Sequence, residues 1–208
     1  MLWWLIGGFI VVLVVLIGVV AGIYNRLVRL RQRVRNGFSQ IDVQLKRRHD
    51  LIPNLVETVK GYMTHEKETL ERVIQARNAA VADAGSADPE SLAKLAGSEN
   101  LLMGLLSKLM IRVEDYPDLK ASTNVSQLME ELSTTENRVA FARQAYNDSA
   151  TTYNTQRQTF PTVLLAGLFG FHAVDLWTVQ DDAERANPNV EFPNDEGSPD
   201  AEIRRSVT

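Results

Sequence analysis

The sequence predicts an all-α protein. It reads as an N-terminal transmembrane helix continuing into a long-helix antiparallel bundle of three to four helices. Three observations carry this. Residues Leu2 to Tyr24 contain no charge. From Leu27 onward the apolar residues recur at steps of three and four, the periodicity of one helical face. The alternation that marks a half-buried strand is absent from the sequence.

The apolar run sets the anchor. A helix rising about 1.5 Å per residue crosses a hydrocarbon layer of about 30 Å within this length. A soluble amphipathic helix needs a polar face, and this run has none. Trp3 and Trp4 stand at one end and Tyr24 at the other, where amphipathic rings favour the two interfaces. A cleaved signal peptide would need a basic start, a shorter apolar core and a small-residue cleavage site; no Lys or Arg precedes this run. Gly18 and Gly22 form a small-xxx-small pair, the pattern that lets two helices approach in lipid. Arg26, Arg29, Arg31, Arg33 and Arg35 follow the span directly. The positive-inside rule then places the N-terminus outside and the remainder in the cytoplasm, with these arginines facing anionic headgroups.

The stripe that follows reads Leu27, Leu30, Val34, Phe38, Ile41, Leu45, Ile52, Leu55, Val59 and Tyr62, and Arg48 alone interrupts it. It keeps phase across Pro53, which predicts a kink rather than a stop. The expectation is one helix running to about Ala82; a break near Gly61 to Thr64, giving a fourth bundle helix, is the alternative. A loop spans Ala84 to Asp88, with Asp88 as N-cap before Pro89. The next helix carries Leu92, Leu95, Leu102, Leu106, Leu109 and Val113. A turn around Tyr116-Pro117-Asp118 leads to a third helix carrying Val125, Leu128, Leu132, Val139, Ala142, Tyr146 and Tyr153. Phe160-Pro161 ends it. This divides the chain into a span at 1–24, a bundle at 25–175 and an acidic polar tail at 176–208.

Composition restricts the function classes. The chain of 208 residues has no cysteine, so disulfide frameworks and thiolate metal sites are excluded. The net charge of −4 divides into a basic membrane-proximal segment and an acidic C-terminal one. A basic patch beside a span fits lipid, and no nucleic-acid motif is present. His65-Glu66 begins like a zinc-protease motif, but Thr69 stands where the second histidine belongs. No phosphate loop, nucleophile elbow or paired catalytic carboxylates occur, and no cofactor is expected.

Two features remain. Arg48 lies in the apolar stripe, and a buried guanidinium requires a carboxylate, because an unpaired buried charge costs several kcal/mol. Glu136 on the third helix is the expected partner in a polar clamp. The segment Val163 to Phe171 presents Leu164, Leu165, Leu168, Phe169 and Phe171, too few residues to span a membrane. Exposed apolar patches mark interaction surfaces; a subunit contact is the first expectation, with lipid insertion and an internal cap as the alternatives.

The chain resembles the LemA family of bacterial membrane proteins. The likeness rests on Tyr24-Asn25-Arg26-Leu27-Val28, on the run from Gln40-Ile41-Asp42 through Arg48-His49-Asp50-Leu51-Ile52-Pro53-Asn54-Leu55 to Gly61-Tyr62, on Glu136-Asn137-Arg138-Val139 through Tyr146-Asn147, on Tyr153-Asn154, and on Phe160-Pro161 with Ala166-Gly167-Leu168-Phe169-Gly170-Phe171. The resemblance implies a single span, an external N-terminus, a cytoplasmic helical bundle and no established catalytic activity. The expected function is therefore a non-enzymatic membrane scaffold or adaptor that self-associates and contacts membrane lipid. The alternative is an accessory partner of a membrane protease.

Overall fold

The computed structural model describes residues 2–85 and 89–178. Among these residues the regular structure is entirely helical: α1 (Leu2–Lys60), α2 (Lys67–Asp83), α3 (Pro89–Glu114), α4 (Pro117–Lys120), α5 (Thr123–Gln158) and α6 (Thr162–Leu168). Asp88 and the segment 179–208, which holds nearly all of the acidic tail, lie outside the described residues.

One helix of 59 residues joins the apolar run to the stripe, with Pro53 inside it. The run alone is long and apolar enough to cross a membrane, and none of its most apolar window is buried by protein. Beyond Tyr24 the same helix becomes one-sided. Leu27, Ile41, Leu45, Ile52, Leu55 and Val59 are fully buried, whereas Arg26, Arg29, Arg31, Arg33 and Arg35 are exposed.

The helix does not continue to Ala82. It ends at Lys60, and residues 61–66 form turns before α2 begins at Lys67. The alternative break near Gly61 to Thr64 is the one observed. The apolar rhythm concealed it because Met63, inside the turn, takes the buried position after Val59, while Tyr62 is exposed. A turn that keeps an apolar residue in phase cannot be told from a continuing helix by periodicity. The connection before α5 likewise contains one short helical turn, α4, begun by Pro117 at a position where its missing N–H costs nothing.

α1 packs chiefly on α5, and α2 on α3. The α1–α5 seam is tight at Gly37, where a Cβ would lie 3.1 Å from the Tyr146 Cα. A side chain there would make the Tyr146 backbone give by a few tenths of an ångström, so glycine suits the approach. Phe38 meets Tyr146 edge to face at 6.2 Å between centroids, and Arg47 reaches Glu131 at 3.7 Å.

The core has two parts. The membrane-proximal part gathers Leu27 to Leu45 of α1, Leu92 to Ala96 of α3, Val139 to Tyr153 of α5, and Ala166, Phe171 and Trp177. The distal part gathers Ile52 to Met63, Leu70 to Ala80 of α2, Leu102 to Val113 of α3, and Leu119, Val125 and Leu132. Between them lies a layer of charge.

Candidate functional site

The layer is built where two stripes are interrupted. On α1 the stripe steps 45, 48, 52 and on α3 it steps 95, 99, 102, so Arg48 and Glu99 each occupy a core-facing slot. Both are buried, at 2 % and 0 % exposure. Arg48 Nη2 donates to Glu99 Oε2. Neighbouring His49, also buried, places Nε2 2.7 Å from Glu99 Oε1. From α2, half-buried Arg77 donates from Nε to the His49 carbonyl at 3.1 Å. One carboxylate on α3 thus accepts from two α1 side chains, and α2 closes over them.

Glu136 is not the partner of Arg48. It is exposed on α5, and the buried slot at that level belongs to Thr135, whose hydroxyl donates to the Leu132 carbonyl at 2.7 Å. Glu136 acts only at a distance, favouring the charged form of Arg48 through its field. The sequence reading missed Glu99, although the stripe on α3 skips from Leu95 to Leu102 and leaves one polar slot between them.

Electrostatics follow from enclosure. Burial, aided by the Arg143 charge, lowers the Arg48 pKa to about 10 against the pull of Glu136, so the guanidinium stays charged at neutral pH. Burial, with Arg48 and Arg77, pushes His49 down to about 4, with Asp50 opposing. In the tautomer that carries its proton on Nε2, neutral His49 donates to Glu99 Oε1. Buried as it is, the arrangement can orient the helices that carry it. Among the described residues there is no group of three or more acidic, histidine or cysteine side chains able to hold a metal ion.

A second polar device lies nearer the span. Residues 171–178 form neither helix nor strand, yet they are held along α5. Asn154 accepts from the Val174 N–H at 3.0 Å and donates to its carbonyl at 2.7 Å. Asn147 does the same for Trp177, at 2.8 and 3.0 Å. Tyr153 and Tyr146 donate to the carbonyls of His172 and Asp175, each at 2.8 Å. Seven residues along α5 match three along this strap. Seven helical residues rise about 10.5 Å, and three extended ones cover about 10 Å, so the two repeats coincide. The inward residues are accordingly Phe171, Val174 and Trp177. Arg143 lies 4.8 Å over the Trp177 ring, which offsets part of its burial. The boundary drawn at 175 falls within this strap.

The remaining residues singled out in the sequence fall at the membrane-proximal end. Trp3, Trp4 and Tyr24 are exposed, and nothing approaches Gly18 or Gly22 within 4 Å of an added Cβ. Leu164, Leu168 and Phe169 are exposed, Leu165 is half-buried and Phe171 is buried. Tyr24 meets Phe169 and Phe171 edge to face at 5.3 and 5.6 Å.

These features define a class: an all-helical protein whose first helix is long and apolar enough to anchor it in a membrane and continues into a core divided by a buried charged layer. The chain belongs to the LemA family, whose model matches residues 37–192. It is similar to Protein LemA of Metamycoplasma hominis, 29 % identical over 163 residues, covering 76 % of this chain and 72 % of that one. It is also similar to Magnetosome protein MamQ of Magnetospirillum gryphiswaldense, 28 % identical over 173 residues, covering 73 % of this chain and 63 % of that one. Magnetosome protein MamQ 2 of Paramagnetospirillum magneticum is 28 % identical over 169 residues, with 71 % and 62 % covered. The match spans less than two thirds of either magnetosome protein's length.

Proposed function

We propose that this chain is a membrane-anchored, non-enzymatic scaffold of the bacterial inner membrane, with its N-terminus outside and an antiparallel helical bundle in the cytoplasm. The observation that carries this reading is the single helix from Leu2 to Lys60. With no loop between anchor and core, the domain is coupled directly to the span and is held at a set distance from the bilayer. An enzyme tethered near a membrane needs no such coupling, whereas a protein that organises its surroundings does. The pairing of Phe38 with Tyr146 and of Arg47 with Glu131 supports the antiparallel arrangement, because numbers rise on α1 as they fall on α5. The exposed arginines after Tyr24 support the orientation.

Self-association is part of the reading. Confinement to a plane raises the effective concentration of copies. Gly18 and Gly22 leave one face of the span open, and the exposed pair Val43 and Phe141 flanks a shallow groove between α1 and α5. The MamQ relatives are named as magnetosome proteins, which suits a role in membrane organisation. The test is gentle extraction from native membranes, followed by size analysis and identification of co-purifying chains. Homomeric particles larger than a monomer are expected. A monomer in stoichiometric complex with a membrane protease would replace the scaffold by an accessory role. A reporter fused after Thr208 should be cytoplasmic, and an external reporter would reverse the orientation.

A further inference from the structure

α6 is built inside out. Its buried residues are Thr162 and Ala166, one small and polar, the other small. Its exposed large residues are Val163, Leu164 and Leu168, and Phe160 just before it is 79 % exposed. A helix lying on a soluble domain does the reverse, hiding leucine and showing threonine to water. Leaving each large apolar side chain in water forgoes the stabilisation that burial would bring. No Asp, Glu, Lys or Arg occurs from Gln158 to Val174.

Position decides what covers this face. α6 follows α5 at the level of Tyr24, the interfacial end of the span. Phe169, next after α6, rests on the Tyr24 ring and walls a notch with Leu16, Ile17, Val20 and Ala21 of the span itself. Leu16 lies about 12 Å along the helix from Tyr24, inside the hydrocarbon layer if Tyr24 marks its edge. The exposed face of α6 is therefore continuous with the surface of the span. A second copy would have to cover α6 where the surrounding solvent is already lipid.

We propose that α6, with Phe160 and Phe169, is embedded in the cytoplasmic leaflet beside the span, as a second, non-spanning membrane contact. Its occupant is lipid: the acyl and glycerol region of the leaflet next to Tyr24. This rests on the reading of Leu2 to Tyr24 as a transmembrane helix. The two contacts together fix the domain against tilt and rotation, which one helix alone does not do. An apolar segment inserted in one leaflet only also displaces lipid on that side of the bilayer.

The cysteine-free chain permits a direct test. Full-length variants Leu168→Cys, Leu164→Cys, Leu13→Cys and Ile111→Cys, each at an exposed side chain, are labelled with an environment-sensitive fluorophore. They are reconstituted in vesicles of phosphatidylethanolamine and phosphatidylglycerol. Quenchers are carried on the lipid, at shallow or deep positions, or added to the water as iodide. Leu13→Cys should be quenched best by deep lipid quenchers, and Ile111→Cys, in the distal half, only by iodide. Leu168→Cys and Leu164→Cys should be quenched by shallow lipid quenchers, with blue-shifted emission and protection from iodide. Quenching of both α6 labels by iodide, with Leu13→Cys still quenched from lipid, overturns the proposal and spares the span. Protection of both from iodide and from lipid quenchers also overturns it, in favour of a protein contact. Failure of lipid to quench Leu13→Cys overturns the span, and the α6 contact with it.

Discussion

The two halves of the core solve one packing problem with different materials. The membrane-proximal half buries Phe38, Tyr146, Tyr153, Phe171 and Trp177. The distal half buries aliphatic residues, with Tyr116 only partly covered. The proximal half lacks α2 and closes its open side with the strap, whose backbone polar groups must be satisfied. Tyr146 and Tyr153 suit that position, since their rings face the core while their hydroxyls reach the strap. The distal half is enclosed by α1, α2, α3 and α5, and there leucine and valine suffice. Directional bonds specify the first half, and shape and volume specify the second. Burial raises the Tyr146 hydroxyl to about 12, with Asp175 adding to the shift, so it donates throughout the physiological range.

The charged layer is where the halves meet, and removing it should separate them most sharply. Glu99→Ala leaves Arg48 buried without its carboxylate and should cost about 3–5 kcal/mol. Chemical denaturation of the detergent-solubilised chain measures it. The double variant Arg48→Met with Glu99→Leu should recover most of the loss, and failure to do so would mean that the layer's charge is not what Glu99→Ala exposes.

Acid should attack the same layer. His49 sits near 4 in the folded chain against an ordinary value of 6.5. The unfolded chain therefore takes up a proton first as pH falls. Stability from this group is complete above about 6.5, declines as pH drops, and is lost by about 4. The melting temperature of the parent should fall across this window more steeply than that of His49→Gln. Equal slopes would remove His49 from the account.

The proximal half should respond to its strap. Asn154→Leu strands the Val174 N–H and carbonyl and should cost about 1–3 kcal/mol. Amide exchange at Val174 should accelerate while α2 and α3 amides stay protected. If both halves loosen together, the division into two regions is wrong. Glu136→Gln should be the mildest change, within about 0.5 kcal/mol, because the residue is exposed.

Much of the fold was legible because helices advertise their buried face. The stripes on α1 and α5 follow directly from spacing, and Pro53 stayed in helix as phase suggested. Three things were hidden for physical reasons. Met63 kept the apolar rhythm through a turn. Glu99 was legible only as a missing apolar residue, and a gap suggests no partner. The strap was illegible because its order comes from Asn and Tyr side chains on another element, and no local periodicity records that. The pairs Tyr146-Asn147 and Tyr153-Asn154, seven residues apart, were the available signal. Leu164, Leu168 and Phe169 stood out as apolar, but their exposure depends on α6 turning Thr162 and Ala166 inward.

The seven-to-three match between α5 and the strap has a consequence for changes in chain length. Segments without helix or strand usually absorb insertions and deletions, because no partner fixes their phase. Here a deletion of one residue between Val174 and Trp177 would leave two residues to cover a distance set by seven helical ones. Either Asn147 or Asn154 would lose both its bonds, and Trp177 would be pulled from its place under Arg143. Sliding the strap along α5 cannot restore the match, because the spacing between its two rungs stays one residue short at any offset. Residues 171–178 therefore behave under deletion like a strand in the middle of a sheet, although no sheet is there.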